Sequence, residues 1–272
     1  MESDQHARVV ERSGDSDVGR SRTTNQDRLL AKAPLFAVAD GMGGHAGGEA
    51  AAALAIATFD ERAGLCSETD PHTALRTLIA EANRRIRERA ASEPAYEGMG
   101  TTIISAFVHD DAVTTAHVGD SRAYRFRDGA LERLTEDHSL VGELLKLGAL
   151  TPEEAEQHPQ RSVVTRALGT RETVEPDVQT HVARDGDVYL LCSDGLTKML
   201  TEAEMAATLT GAARLDEAGE RLIAAANEHG GEDNVTVCLF RVAIAQTPNR
   251  RDTTVIDHAV IARAATAERD SA

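Results

Sequence analysis

The stretch Val38-Ala-Asp-Gly-Met-Gly-Gly-His-Ala-Gly-Gly-Glu-Ala-Ala-Ala52 begins in an apolar run and ends in an alanine-rich segment. This order predicts a buried strand, a glycine loop and a helix. Gly41 to Ala46 matches the G-x-G-x-x-G/A pattern of dinucleotide-binding loops, in which the helix N-terminus receives a pyrophosphate. Asp40 argues against that interpretation, because its negative charge would face the pyrophosphate. The stretch therefore raises the question of what Asp40 binds.

The composition is that of an acidic globular protein. The 272 residues include 41% hydrophobic residues and no Trp, and the net charge is −16. This charge argues against nucleic acid as a partner, because a protein that binds nucleic acid needs a basic face. It also argues against binding to an anionic membrane surface. The polar start of the chain and the absence of an apolar run near ~20 residues favour a cytoplasmic protein. Three separated cysteines, Cys66, Cys192 and Cys238, predict neither a disulfide framework nor a zinc site.

The hydrophobic pattern predicts antiparallel strands combined with long helices. Strand-like apolar runs occupy residues 35–39, 102–108, 112–118, 122–126, 188–192 and 234–242. Several connections are short, such as 109–111 and the Asp128-Gly129 turn, and this favours antiparallel pairing over βαβ units. Capping signals predict helices that begin after Asp70, Ser139, Thr151 and Thr201. We predict one α+β domain at residues 14–243, with a flexible segment at 1–13 and a polar tail at 244–272.

Aspartates recur where apolar strands meet turns. Asp40, Asp120 and Asp194 follow predicted strands, and Asp233 precedes one. Neighbouring glycines allow sharp turns and a close approach of the backbone to a ligand. A fifth acid, Asp27, lies directly before another apolar pair. The shared position of these residues predicts that their carboxylates are directed into one cleft.

Converging carboxylates need a counter-charge, and oxygen-only ligands favour Mg²⁺ or Mn²⁺. Two such ions can activate a water molecule and clamp a phosphoryl group, whose remaining oxygens suit the planar fork of an arginine. Arg20 and Arg22 both lie near Asp27 in the sequence. Any single Asp-Gly pair is also typical of an ordinary turn, so the spacing alone leaves a metal site and a set of structural turns as alternatives.

Eight segments resemble the metal-dependent protein serine/threonine phosphatases of the PP2C (PPM) family, most closely its stand-alone bacterial type. They occur in the family's order, and they are residues 19–27, 38–49, 100–102, 117–122, 134–140, 164–169, 191–196 and 231–236. The resemblance implies two antiparallel sheets packed face to face, with helices on both outer faces. It also implies a mobile flap at about residues 139–165 that shapes substrate access.

The resemblance implies roles for the acids, as ligands of two Mn²⁺ or Mg²⁺ ions and of a weaker third ion. In this interpretation, Asp40 bridges the two ions, Asp194 and Asp233 complete the first, and Asp27 acts through bound water. Asp120 and Asp194 would hold the third ion. The implied metal ligands are Asp27, Asp40, Gly41 through its carbonyl, Asp120, Asp194 and Asp233.

The resemblance also implies that Arg22 binds the substrate phosphate, with Arg20 as the alternative.

Met42, His45 and Gln26 bear on proton donation and on metal affinity. Some family members carry a histidine as general acid where this chain has Met42, so His45, three residues later, and a metal-bound water are the alternative proton donors. Gln26 stands where many members carry Glu, and this difference bears on metal affinity.

The predicted activity is hydrolysis of phosphoserine and phosphothreonine in proteins by a water activated by two metal ions, without a phosphoenzyme. The expected substrates are phosphorylated proteins, including a bacterial serine/threonine kinase, and we expect a monomer. One alternative is a regulatory phosphatase of the same fold, such as an antagonist in sigma-factor control. Another is a pseudophosphatase that binds phosphoproteins without cleaving them. Asp40, Asp194 and Asp233 argue against the second, because a pure binding module does not need all three.

Overall fold

Two five-stranded antiparallel sheets form the centre of the molecule. A computed structural model describes residues 5–43, 47–151, 154–155 and 158–246. The first sheet has the order β1 (Gln5–Asp17), β12 (Val235–Gln246), β11 (Val188–Cys192), β8 (Arg122–Arg127) and β9 (Ala130–Arg133). The second has the order β10 (Asp177–Val182), β7 (Ala112–Val118), β6 (Ile103–His109), β3 (Leu35–Ala39) and β2 (Arg28–Lys32). A short ribbon joins β4 (Gly41–Met42) to β5 (Gly100–Thr101).

Helices cover the outer face of each sheet. The second sheet packs against α1 (Gly47–Glu61), α2 (Leu65–Glu68) and α3 (Pro71–Ser92). The first sheet packs against α5 (Asp194–Thr197), α6 (Glu202–Gly211) and α7 (Leu215–Glu228), while α4 (Leu140–Lys146) lies in the predicted flap. The predicted caps are present: Asp70 accepts a hydrogen bond from the Thr73 amide, and Thr201 forms a capping box with Glu204. The layer order, helix–sheet–sheet–helix, confirms the predicted fold class.

Strand β3 shows why the central strands are apolar throughout. Leu35, Ala37 and Ala39 face the helices, whereas Phe36 and Val38 face the other sheet. Both faces of the strand are therefore buried, and alternation between apolar and polar residues is lost. The hydrophobic layer between the sheets is built around stacked rings, with the centroids of Phe36 and Phe240 4.1 Å apart.

The two predicted short connections form hairpins. Strands β6 and β7 pair from Ile103–Val118 to His109–Ala112, and β8 pairs with β9 across Asp128 and Gly129. Asp128 and Gly129 have φ values of 52° and 80°. Positive φ at both central residues is what a two-residue type I′ hairpin turn requires.

The expectation of a flexible segment at residues 1–13 is wrong for the part that the structure describes. Residues 5–17 form β1, which pairs with β12 from Gln5–Gln246 to Asp17–Val235. Ala7 and Val9 pack on the layer between the sheets. Strand β12 also runs to residue 246, past the predicted boundary at 243. Polar residues recur along β1, so no apolar run marks it as a strand in the sequence. Its partner strand lies more than 200 residues away, so no local signal indicates the pairing. Residues 247–272, most of the predicted tail, lie outside the described residues.

Candidate metal centre

Strand ends bring all five of the sequence-predicted aspartates into one cleft. Asp27 precedes β2, Asp40 follows β3, Asp120 follows β7, Asp194 opens α5 after β11, and Asp233 precedes β12. Burial raises the pKa of Asp40 well above its usual value, and the carboxylates of the other four raise it further. The ends of strands from both sheets thus place five acids within electrostatic reach of one another.

Two of these acids are almost completely enclosed. Asp27 is 2% exposed and Asp120 is 6% exposed. Burial, together with the negative charge of neighbouring aspartates, raises the pKa of each to about 7. The acids of the cleft therefore cannot all be ionised at neutral pH unless a cation joins them.

Carboxylate oxygens without hydrogen-bond partners also indicate that the cleft needs a cation. Asp27 Oδ2 accepts a hydrogen bond of 2.7 Å from Ser193 Oγ. Within the described residues, Asp27 Oδ1 and Asp194 Oδ1 are buried and accept no hydrogen bond. A buried carboxylate oxygen without a partner is costly, and a divalent cation satisfies it. The donor set is made of oxygen atoms, which suits Mg²⁺ or Mn²⁺.

Two threonines fix the backbone of Asp40. The Asp40 amide donates to Thr102 Oγ1 at 3.0 Å, and Thr101 Oγ1 donates to the Asp40 carbonyl at 2.8 Å. The next residue must be glycine, because a Cβ at Gly41 would lie 2.1 Å from the carbonyl oxygen of Gly48. The loop therefore packs backbone against backbone at the start of α1. The sequence had assigned no role to the threonines.

Asn234 is another residue whose role the sequence did not indicate. Its Oδ1 accepts a hydrogen bond of 2.8 Å from the Gln26 amide, and its Nδ2 donates to the carbonyls of Val18 and Thr24 at 2.9 and 3.0 Å. These bonds hold the loop before β2 beside the start of β12. An Asn directly after an Asp at a strand start is the only local signal, and such a pair is common in turns.

The two candidate arginines lie in different surroundings. Arg22 Nη2 lies 2.9 Å from Asp233 Oδ2, and its side chain is 53% exposed. Arg20 instead donates its amide hydrogen to the Gly231 carbonyl at 2.7 Å and lines a separate hollow with Asp17. Arg22 is thus the one of this pair that reaches an aspartate of the cleft.

Met42 and His45 are the two positions near Asp40 that bear on proton donation. Met42 is half-buried in β4, and its thioether carries no proton to donate. His45 lies outside the described residues. The Lys198 ammonium contacts Asp194 Oδ2, a contact that the sequence had not indicated.

A second group of possible ligands lies next to the flap. One ligand atom each from His117, His138 and Asp177 falls within 4.8 Å of the other two. However, His138 Nδ1 accepts a hydrogen bond of 3.2 Å from the Gly119 amide, so the proton of the neutral ring is on Nε2, which faces Asp177. A metal at Nε2 would force the proton onto Nδ1, against the Gly119 N–H. These contacts favour a structural role for the two histidines.

A family model described as protein phosphatase 2C matches residues 16–234. The chain belongs to the protein phosphatase 2C family. It is 41% identical over 240 residues to the serine/threonine phosphatase stp of Listeria innocua, with 85% of this chain and 95% of that protein covered. The similarity in sequence and the matching fold confirm the family predicted from the eight segments.

Solved structures agree with this assignment. The serine/threonine phosphatase PstP/Ppp of Mycobacterium tuberculosis superposes with a TM-score of 0.81 at 39% identity, covering 87% of this chain and 98% of that chain. The catalytic domain of PstP in complex with 2 manganese ions gives a TM-score of 0.78 at 38% identity, covering 88% and 99%. The chain is therefore a metal-dependent protein serine/threonine phosphatase that uses Mn²⁺ or Mg²⁺ and acts on phosphorylated proteins. In the described part of the chain, helices lack the length and apolar character to cross a membrane.

Proposed function

We propose that Asp40, Asp194 and Asp233, with the Gly41 carbonyl, hold the two catalytic metal ions, and that Asp27 acts through bound water. The observation that carries this proposal is the convergence of five strand-end aspartates, in which the other four carboxylates act on Asp40. Asp120 completes the group as a partner of Asp194 for a weaker third ion. The unsatisfied oxygens of Asp27 and Asp194 support the same assignment.

When bound, the two ions supply Lewis-acid polarisation of the phosphoryl group and lower the pKa of the attacking water. The chain's own residues supply position and charge balance. Ser193 holds the Asp27 carboxylate, and the two threonines hold the backbone of Asp40, before any cation binds, so little reorganisation is needed. Arg22 lies half-exposed at the rim, where its guanidinium fork binds two phosphate oxygens and orients the phosphorus for direct attack.

The leaving group is the alkoxide of a serine or threonine side chain, and it needs a proton. Met42 cannot provide one, because it carries no titratable atom. Asp27 and Asp120 are buried acids whose pKa values of about 7 describe the cleft without metal, so they are not assigned as the donor. We propose that bound water, the alternative to His45, supplies this proton.

The substrates include a serine/threonine protein kinase, whose phosphorylation this enzyme reverses. The net charge of −16 supports a protein partner over nucleic acid, and the names of the relatives place serine/threonine phosphatases in this family. We also propose that the enzyme acts as a monomer.

The test measures hydrolysis of p-nitrophenyl phosphate and of a phosphothreonine peptide, with Mn²⁺ and with chelator. We expect turnover only with Mn²⁺, and a loss on the order of 1000-fold in Asp194→Asn, because a metal clamp supplies several kcal/mol of transition-state stabilisation. Asp70→Asn is the matched control, since Asn caps the exposed start of α3 as well as Asp does. Metal-independent turnover, or full activity in Asp194→Asn, would contradict the assignment. Peptide binding without turnover would favour a pseudophosphatase.

A further inference from the structure

Lys198 lies one helical turn after Asp194 and points back at it. Its amide donates to the Asp194 carbonyl at 2.8 Å, which continues the helical path of α5. Side chains four residues apart lie on the same face of a helix. The ammonium accordingly contacts Asp194 Oδ2, and the Lys198 side chain is only 23% exposed. This contact leaves Asp194 Oδ1 as the unsatisfied oxygen of that carboxylate.

The same ammonium acts on a second acid of the cleft. Burial opposes its charge, but Asp194, Asp120 and Asp233 together raise the pKa of Lys198. Burial and the charge of Asp194 raise the pKa of Asp120, and the positive charge of Lys198 opposes that rise. Lys198 also lines the same cavity as Asp120 and Asp194, the two acids assigned to the weaker third ion.

We propose that Lys198 is a tethered cation that competes with a third divalent ion for Asp120 and Asp194. This inference rests on the proposed function, because it takes those two acids as the third-ion ligands. The ammonium and a divalent ion repel each other, so binding of the ion requires the lysine to leave. Its flexible four-carbon stem allows this movement. While Lys198 is in place, it neutralises part of the acidic charge and keeps the third site weak.

The structure provides space for the displaced side chain. Lys198, Asp120 and Asp194 all line a cavity of about 1100 Å³ next to the flap. Glu202 lines the same cavity and is exposed, so it offers the displaced ammonium a carboxylate. The lysine can thus exchange one acidic environment for another without moving the backbone of α5.

The test counts Mn²⁺ ions bound to the full chain by titration calorimetry and by the electron paramagnetic resonance signal of free Mn²⁺. We compare wild type, Lys198→Met, Lys198→Arg and Lys32→Met. Lys32 is the matched control, since its ammonium pairs with Asp60 at 2.6 Å on the exposed surface. We expect two tight ions and one weak ion in the wild type, and a weak site tightened about 10-fold in Lys198→Met, equivalent to about 1.4 kcal/mol. Lys198→Arg and Lys32→Met should match the wild type.

Each result either supports or overturns competition between Lys198 and a third ion. An unchanged weak site in Lys198→Met, or no third ion in either protein, overturns this inference while two tight ions and Mn²⁺-dependent turnover leave the proposed function standing. A wild type that binds no Mn²⁺ overturns both. Thermal melting in chelator gives an independent readout: Lys198→Met should melt below Lys198→Arg, because Asp194 loses its counter-ion. If the two variants melt alike in chelator, the ammonium does not neutralise these acids, and the inference is wrong.

Discussion

Asp120 and Asp137 are two shielded carboxylates with opposite surroundings. Burial would raise the pKa of Asp137, but Arg122 and Arg133 hydrogen-bond to it and hold its pKa below the usual value. Asp120 is 6% exposed, and its neighbours include Asp194, so its pKa rises to about 7. The chain neutralises Asp137 itself, whereas much of the counter-charge for Asp120 and its neighbours must come from outside. A buried acid that the fold leaves under-compensated marks the functional site.

Replacing each acid by its amide should change the free energy of unfolding in opposite directions. In chelator, Asp137→Asn should lower the free energy of unfolding by about 3–5 kcal/mol, because it leaves two arginines without their carboxylate. Asp120→Asn should raise it, because it removes one charge from a repelling group. Urea denaturation followed by circular dichroism measures both. Equal destabilisation by the two variants would show that the acids are not in different electrostatic environments.

The raised and the lowered pKa values should also give the stability of the protein a specific dependence on pH. The pKa of Asp27 rises from 3.8 to about 7 on folding, so the folded state binds more protons between these values. The free energy of unfolding without metal should therefore fall as pH rises from about 4 to about 7, by at most roughly 4 kcal/mol from this residue, and then level off. Asp137, with its lowered pKa, contributes no slope there.

The matched measurement uses urea denaturation at pH 5 and pH 8, for wild type and Asp27→Asn, in chelator and in excess Mn²⁺. The wild type should lose more stability than the variant on going to pH 8 in chelator, and Mn²⁺ should remove this loss. If, without metal, the wild type instead loses less stability than Asp27→Asn between pH 5 and pH 8, the acids of the cleft are not repelling one another.

The smallest expected effect concerns Arg22 at the rim of the cleft and Arg20 in the separate hollow. Arg22→Lys should lower kcat/KM for a phosphothreonine peptide about 10-fold, because lysine keeps the charge but lacks the planar fork. Arg20→Lys should stay close to the wild type, since Arg20 lines a separate hollow. Steady-state kinetics with Mn²⁺ distinguishes the two. A larger loss in Arg20→Lys would move phosphate binding to that residue.

The sequence predicts those features whose cause is local. The sequence predicts strand β3 with its observed bounds because both of its faces are buried, and it predicts the Asp70 cap because that signal lies within four residues. The strand-end pattern also singled out the five aspartates that the structure brings together. In contrast, β1 was missed, since its pairing depends on a strand more than 200 residues away.

The sequence also does not indicate that Asp120 and Asp137 differ in how their charges are neutralised. Both are single aspartates in short polar connections, and only tertiary structure places two arginines against one of them. The roles of Asn234 and Lys198 were missed for the same reason. Asn234 bonds to backbone atoms more than 200 residues away, and Lys198 acquires its role from the acids gathered around α5. Local patterns identify candidate ligands, but the neutralisation of each acid depends on the assembled fold.

The pairing of β1 with β12 has a consequence for how the enzyme is made. Asp233 precedes β12, which lies between β1 and β11 and therefore completes the first sheet. Chains grow from the N-terminus, and pairings between distant residues form late. A nascent chain that has emerged only as far as β11 carries Asp27, Asp40, Asp120 and Asp194 but lacks both the fifth acid and its supporting strand. Phosphatase activity should therefore appear only after nearly all of the domain has left the ribosome.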